Sequence, residues 1–150
     1  GKIITAFDIA RTLALGADWC NSARGFMFAL GCIQSQSCHT DRCPTGIATQ
    51  DEKRWKGLDV PDKAVRVQHF HARTVATLRE LVEAAGLQHP NEFGPEHIIR
   101  RVSPTLVRSL GTLHPYLQAG DLLNPERQPE HIVFQRFWAG ARPDTFAFTQ

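Results

Sequence analysis

The sequence has no apolar run long enough to span a bilayer. Its first residues also lack the basic, apolar and small-residue order of a signal peptide. The formal charge is only +2 and the arginines are scattered, so neither nucleic acid nor an anionic membrane is indicated as a partner. These absences predict a soluble, cytoplasmic protein that acts without a membrane or a nucleic acid.

Internal repeats are also missing, which argues against a solenoid or a propeller. A length of 150 residues, 42% of them hydrophobic, suits one domain with a single core. The chain opens directly on the dense pattern GKIITAFDIARTLALGAD, with neither a leading methionine nor a polar arm. We therefore expect a fragment of a longer polypeptide.

The first third of the chain reads as helix, strand, turn and helix. Thr5 followed by Asp8 is typical of a helix start, and Gly16 is typical of a helix end. The segment ADWCNSA, residues 17–23, then predicts a buried strand that ends near Asn21, and residues 24–32 predict a second helix. This order is typical of an α/β protein.

A long helix is predicted from Asp59 to Gly86, with Pro61 at its first turn. Apolar residues at spacings of three and four predict its buried face, which comprises Ala64, Val67, His71, Val75, Leu78, Val82 and Ala85. Ser103-Pro104 predicts the start of a further short helix that ends at Gly111. Beyond Pro115 the pattern predicts an extended tail.

Three cysteines lie within twelve positions of the segment GCIQSQSCHTDRCPTGIATQ, residues 31–50. Cys32, Cys38 and Cys43 are separated by five and by four residues, and no cysteine pair has the two-residue spacing common in zinc sites. A disulfide is disfavoured inside a cell. The Cys-Pro ending is typical of iron–sulfur motifs, so the spacing leaves an iron–sulfur cluster and zinc both open.

Other metal ligands are not indicated. Cys20 is predicted to belong to the core, and His39 to support the cysteine loop without binding a metal. His69 and His71 are two apart on a helix and therefore face different sides. The remaining histidines are predicted to have surface or capping roles: His89, His97, His114 and His131.

The cysteine segment closely resembles the iron–sulfur loop of the FMN-dependent synthase domain of glutamate synthase. The preceding ITAFDIARTLALGAD resembles the seventh helix and eighth strand of that (β/α)8 barrel, and the similarity extends to about Gly86. The resemblance implies a 3Fe–4S cluster with one cysteine per iron, on Cys32, Cys38 and Cys43. It also implies that the FMN phosphate binds at Gly1, Lys2, Ser22, Ala23 and Arg24.

The fold implied by this resemblance is an α/β parent, the C-terminal end of a TIM (β/α)8 barrel. The chain by itself is expected to be mainly α-helical with one or two short strands. Residues 1–50 would form the last βα units of the FMN-binding barrel, with the iron–sulfur loop at 31–50. Residues 51–150 would form a helical extension that packs on the barrel.

The function implied is that of a glutamate synthase-type oxidoreductase. Such an enzyme makes glutamate from 2-oxoglutarate and glutamine-derived ammonia by reducing 2-iminoglutarate at FMN. The resemblance further implies a reductase subunit or ferredoxin as electron donor, and a glutamine amidotransferase domain or subunit as ammonia source. No catalytic residue is assigned in this chain, and we expect the isolated chain to be inactive.

Three alternatives stay open from the sequence. A related N-methylglutamate synthase-type enzyme would carry the same cofactors. A small helical module could bind a metal or a partner without catalysis. An intact zinc-binding interaction domain would use the same cysteines for a structural metal.

Overall fold

The computed structural model describes residues 2–124, 126 and 132–147. Gly1, a predicted FMN-binding residue, and His131 lie outside the described residues. The chain divides into two compact units, the first ending at Ile98 and the second beginning at Ile99. Within the first unit, the long helix packs on the two helices before it.

The first helix, α1, spans Ala6–Ala14, and its predicted start is confirmed. The Thr5 hydroxyl accepts a hydrogen bond from the Asp8 amide at 3.2 Å, and the Asp8 carboxylate accepts one from the Thr5 amide at 2.9 Å. This reciprocal pair satisfies two amides that a helix start leaves without partners. Gly16, at φ +97°, follows the helix end.

The strand predicted at residues 17–23 does not form, and the backbone there is irregular. Trp19 is 75% exposed and Cys20 is only half-buried, so the prediction that Cys20 belongs to a core strand is wrong. A strand needs a neighbour for its backbone hydrogen bonds. Within the described part of the chain, the one sheet lies far away in sequence, at residues 99–109.

Three further helices complete the first unit: α2 spans Arg24–Leu30, α3 spans Glu52–Trp55 and α4 spans Val60–Ala84. Short 3₁₀ turns lie at Cys38–Thr40, Pro90–Glu92 and Pro95–His97. The long helix begins after Asp59 as predicted, and the Asp59 carboxylate accepts a hydrogen bond from the Asp62 amide. It packs against both α1 and α2.

The inward face of α4 differs from the predicted one. Val82 is buried as expected, whereas Val75 is 51% exposed and His71 is exposed as well. Phe70 is half-buried in their place, and its ring meets that of Phe26 edge-to-face at 5.1 Å. Helices α1 and α2 both pack on α4, so the buried face depends on these contacts and not on the apolar pattern of α4 alone.

The second unit contains an antiparallel hairpin where a helix was predicted at residues 103–111. Strand β1, Ile99–Ser103, pairs with β2, Leu106–Ser109. Pro104 lies in the connecting turn, which suits its fixed φ, and the β-branched residues on either side favour strands. The helix prediction was wrong because Pro104 begins a turn instead of a helix.

Two short helices follow the hairpin: α5 spans Leu110–Leu113 and α6 spans Ile132–Phe137. A 3₁₀ turn at Asp121–Leu123 receives a hydrogen bond from the Trp138 indole, which donates to the Leu122 carbonyl at 2.9 Å. The described residues beyond Pro115 are thus partly helical, whereas an extended tail was predicted. Among the residues that the structure describes, no helix is both long and apolar enough to cross a membrane.

Candidate functional site

The cysteine loop starts at the end of α2. Gly31 takes φ +103°, and its neighbour Cys32 donates its amide to the Met27 carbonyl at 2.9 Å. This hydrogen bond uses one of the carbonyls that a helix end leaves free, so the helix end fixes the position of Cys32. Cys32 is half-buried, and the Gln34 amide lies 3.5 Å from its sulfur.

The middle of the loop has an unusual backbone. Gln34 and Gln36 both take φ +57°, and Asp41 takes φ +60°. Left-handed conformations are uncommon for residues other than glycine and cost about 1–2 kcal/mol each. Cys38, between them, starts a 3₁₀ turn and is exposed. The loop therefore holds its second thiol at the surface on a strained backbone.

Cys43 is in a different environment, because it is buried at 5% exposure. The Thr45 hydroxyl lies 3.4 Å from its sulfur. Hydrogen bonds from this hydroxyl and then from the Ala48, Thr45 and Ile47 amides outweigh burial and lower the pKa of the Cys43 thiol to about 7. The thiolate is the form that binds metals, so the lowered pKa meets one chemical requirement of a metal ligand.

The end of the loop is tied to the middle of the loop and to α3. The Asp41 carboxylate accepts a hydrogen bond from the Gln50 amide at 2.6 Å, and the Asp41 carbonyl accepts one from the Thr49 hydroxyl at 2.6 Å. Gly46, at φ +77°, lies so close to α3 that an added Cβ would be 2.5 Å from the Arg54 carbonyl oxygen. Gly46 was not singled out from the sequence, although its place three residues after Cys43 could have indicated a tight turn.

The residues predicted to hold the FMN phosphate lie in two segments, and the structure brings these segments together. The Ser22 hydroxyl donates a hydrogen bond to the Ile3 carbonyl at 2.9 Å, which places the turn before α2 beside the start of the chain. Lys2 is exposed and takes φ +61°. Ala23 precedes the helix without a side-chain cap, and Arg24 is its exposed first residue.

One cavity of about 370 Å³ joins the two predicted sites. Its lining includes the predicted phosphate residues Ala23 and Arg24 and the predicted iron ligands Cys32 and Cys38. Cys43 is not among the lining residues.

A metal-binding group of three His, Cys, Asp or Glu side chains is not formed anywhere among the described residues. The donors fit an iron–sulfur ligand set in their chemistry, with three thiols, a lowered pKa at Cys43 and amides near two of the sulfurs. They do not converge on one point in this structure. The loop thus carries three thiols in an open arrangement.

Comparison with known proteins identifies the region around this loop. A family described as "Conserved region in glutamate synthase" matches residues 1–88. A glutamate synthase large subunit-like protein of Bacillus subtilis is 46% identical over 101 residues, covering 67% of this chain and 19% of that protein. The NADH glutamate synthase of Schizosaccharomyces pombe is 38% identical over 145 residues, covering 91% of this chain and 7% of that protein.

An archaeal NADPH glutamate synthase of Methanocaldococcus jannaschii is 37% identical over 87 residues, or 58% of this chain and 17% of that protein. The chain thus spans less than a fifth of the length of these curated relatives. No solved structure matches the chain.

Proposed function

This chain belongs to the glutamate synthase family, and on that premise we propose that it is the C-terminal part of an FMN- and iron–sulfur-dependent synthase domain. The parent enzyme would be an oxidoreductase that makes glutamate from 2-oxoglutarate and glutamine-derived ammonia by reducing 2-iminoglutarate. The observation that carries this proposal is the family match over residues 1–88, which contain the whole cysteine loop.

The proposed parent fold is a (β/α)8 barrel that ends in residues 1–50. Residues 17–23 are irregular here, and an eighth strand would need the preceding strands beside it for its hydrogen bonds. Helices α1 and α2, which flank this segment, would cover the outside of the barrel. The proposal therefore predicts that residues 17–23 become a strand in the parent polypeptide.

The proposed ligands of a 3Fe–4S cluster are Cys32, Cys38 and Cys43. Their support is the chemistry of the donors: Cys43 has a lowered thiol pKa, and Cys32 and Cys38 line one cavity. When bound, such a cluster transfers single electrons. The chain's own contribution would be to provide thiolates, with the Thr45 hydroxyl and nearby amides stabilising the negative charge at Cys43.

The proposed FMN phosphate site comprises Gly1, Lys2, Ser22, Ala23 and Arg24. The contact between Ser22 and Ile3 supports it, because two segments 19 residues apart meet where the phosphate would bind. When bound, FMN supplies the hydride chemistry. The chain's own residues would hold the phosphate, with Arg24 as the charged side chain and the backbone near Ser22 as a source of amides.

The electron donor and the ammonia source are also proposals. The names of relatives include NADPH-, NADH- and ferredoxin-dependent glutamate synthases. We propose a reductase subunit or ferredoxin as donor, a glutamine amidotransferase domain or subunit as ammonia source, and a cytoplasmic location. A related N-methylglutamate synthase-type activity would use the same residues.

A second candidate function is a small helical module that binds a metal or a partner without catalysis. It is favoured by the first unit, whose helices already bury a core against one another. The buried apolar residues there are Ile3, Ala6, Ala10, Leu13, Ala14, Cys43, Val82, Phe93 and Ile98. Iron, sulfide and flavin contents of the anaerobically purified parent protein separate the two functions, because the module predicts none of them or one zinc per chain.

The ligand assignment is tested by single serine variants of the parent protein. Replacing Cys32, Cys38 or Cys43 should remove the whole cluster, since a hydroxyl is a poor replacement for a thiolate at iron. Cys20→Ser is the matched control and should retain full iron and sulfide. Loss of the cluster in Cys20→Ser together with its retention in Cys38→Ser would show that the assignment is wrong.

The phosphate site is tested by Arg24→Glu in the parent protein. Binding of FMN should weaken by roughly 1–3 kcal/mol, because a charged hydrogen bond is lost and a like charge is introduced. Arg79→Glu is the control, since Arg79 lies on the exposed side of α4 and pairs with Glu83. Equal FMN affinities for the two variants, measured by fluorescence titration, would contradict the site.

A further inference from the structure

A second cavity in the first unit lies away from the cysteine loop and is not assigned by the family match or by the proposed function. It has a volume of about 600 Å³ and lies between the start of α1, the end of α2 and the middle of α4. This volume is within the range of small-molecule sites. We call it the α4 groove, and its lining residues are Ile4, Thr5, Ala6, Ala29, Arg66, His69, Phe70, Arg73, Thr74 and Thr77.

The floor of the α4 groove is apolar. Ile4 and Ala6 contribute from the start of α1, Ala29 from α2 and the Phe70 ring from α4. All four are buried or half-buried. An apolar floor of this kind favours a ligand with a hydrocarbon body and gives little to a fully hydrated ion.

One wall of the α4 groove carries basic side chains and no acidic side chain. Arg66, His69 and Arg73 are three and four residues apart, so they lie on one face of the helix over a rise of about 10 Å. No Asp or Glu is among the lining residues. The described residues provide no ion pair for Arg73, and the contact of Arg66 with Asp62 is long, at 4.0 Å.

The start of α1 is an unfavourable place for an anion, because the Asp8 carboxylate already lies there. The Asp8 carboxylate accepts hydrogen bonds from the Ile4 and Thr5 amides and pairs with Arg11. An anion in the α4 groove would therefore meet the arginine side chains and not a free helix end. Arginine forms directed, often bidentate hydrogen bonds with carboxylates.

We propose that the α4 groove binds an amphipathic carboxylate, with its hydrocarbon body on the floor formed by Ala6, Ala29 and Phe70 and its carboxylate at Arg66 and Arg73. The α4 groove shares no lining residue with the cavity at the cysteine loop. It would give the family fold an additional binding function for short aliphatic acids.

The test is an NMR titration of the full chain with hexanoate, hexylamine and inorganic phosphate. Hexanoate should produce saturable shifts at the amides of Ala29, Phe70 and Thr77. Hexylamine has the same body with the opposite charge, and phosphate has the charge without the body, so both should bind at least tenfold more weakly. If hexylamine binds as tightly as hexanoate, the groove is a general apolar surface and the proposal is wrong. If phosphate binds as tightly as hexanoate, the groove is a simple anion site and the proposal is also wrong.

Variants of the same chain test separately where the carboxylate of hexanoate binds and where its hydrocarbon body binds. Arg73→Gln should weaken hexanoate binding by roughly fivefold to tenfold through the loss of a charged hydrogen bond. Arg79→Gln, on the same helix but outside the groove, should leave it unchanged. Ala29→Leu should weaken binding by filling the floor while it keeps every charge. Equal effects of Arg73→Gln and Arg79→Gln on hexanoate binding would overturn the proposal. The absence of any saturable shift would overturn it as well, and is the result expected if a protein segment fills the groove.

Discussion

Gly46→Ala should destabilise the cysteine loop more than any other glycine replacement at a comparable backbone conformation. Gly46 takes φ +77°, and an added Cβ would lie 2.5 Å from the Arg54 carbonyl oxygen and 3.0 Å from the Trp55 Cα. Both contacts are with backbone atoms, so a side-chain rotation cannot relieve them. The loop and α3 would have to separate.

The magnitude follows from two independent costs. A left-handed alanine costs about 1–2 kcal/mol, partly offset by about 0.4–1 kcal/mol because alanine restricts the unfolded chain. Overpacking against fixed atoms adds about 1–3 kcal/mol. Gly86 isolates the first cost, because it takes φ +74° and an added Cβ there would meet nothing within 4 Å. Gly46→Ala should therefore exceed Gly86→Ala by about 1–3 kcal/mol.

Urea unfolding of the two variants and the parent sequence, followed by circular dichroism and tryptophan fluorescence, gives the comparison directly. Trp55 lies against Gly46, so fluorescence reports on the affected contact. A second measurement is the pH dependence of Cys43 alkylation, which should shift to higher pH in Gly46→Ala as the turn that supplies amides to the sulfur moves. Equal free energies of unfolding for the two variants would refute the steric argument, since their backbone conformations are matched.

Three other predictions use different parts of the first unit. Thr45→Val removes the hydroxyl hydrogen bond that is the largest cause of the lowered Cys43 pKa of about 7. The midpoint pH of Cys43 alkylation should therefore be higher in Thr45→Val than in the parent sequence. An unchanged midpoint would exclude the hydroxyl as a cause of the lowered pKa. Because the folded pKa of Cys43 is below the ordinary value of 9.0, ionisation of Cys43 stabilises the fold fully above pH 9, and this contribution is lost as the pH falls through 7. The free energy of unfolding should therefore rise between pH 7 and 9 in the parent sequence, and it should rise less in Thr45→Val. Asp8→Asn should cost about 1 kcal/mol at neutral pH, because the negative charge that accepts the Thr5 amide and faces the helix start is lost. Hydrogen bonds from the Thr5 amide and others lower the Asp8 pKa, so its contribution is present above the ordinary value of 3.8 and is lost as the pH falls through the folded pKa. Thermal melts of the two proteins that fail to converge in acid would contradict this account. Val82→Ala, at a 4% exposed site, should lower the free energy of unfolding by about 1–3 kcal/mol, whereas Val75→Ala, at a 51% exposed site, should lower it little. The reverse order would indicate that the buried face of α4 is the one that the apolar pattern predicts.

Helix starts and ends were predictable because they depend on residues close in sequence. Thr5 and Asp8 form their reciprocal hydrogen bonds across three positions, and Asp59 caps α4 over the same distance. Gly86 follows the end of α4 with a left-handed backbone, as a glycine after a helix often does. The family was likewise predictable from the cysteine loop, and the match over residues 1–88 confirms it.

Elements that depend on distant partners were predicted less well. Residues 17–23 have the composition of a strand, but no neighbouring strand is present among the described residues to complete their hydrogen bonds. Residues 99–109 form a hairpin because each strand provides the other's partner. The sequence pattern there was compatible with a helix start at Pro104, and only the pairing of the two strands decides between them.

The candidate site shows the same division between local and non-local interactions. The sequence by itself determined which residues can act as ligands, because three thiols in one loop and a Cys-Pro ending are a matter of spacing and chemistry. Only the tertiary structure decided that Cys43 is buried with a lowered pKa while Cys38 is exposed, and that Cys32 and Cys38 share a cavity with Arg24. These properties depend on how the loop packs against α2 and α3, which the loop's own residues do not fix. The α4 groove likewise exists because α4 packs on α1 and α2 with Phe70 on its inward side. The apolar pattern of α4 by itself does not decide that Phe70 lies on this side.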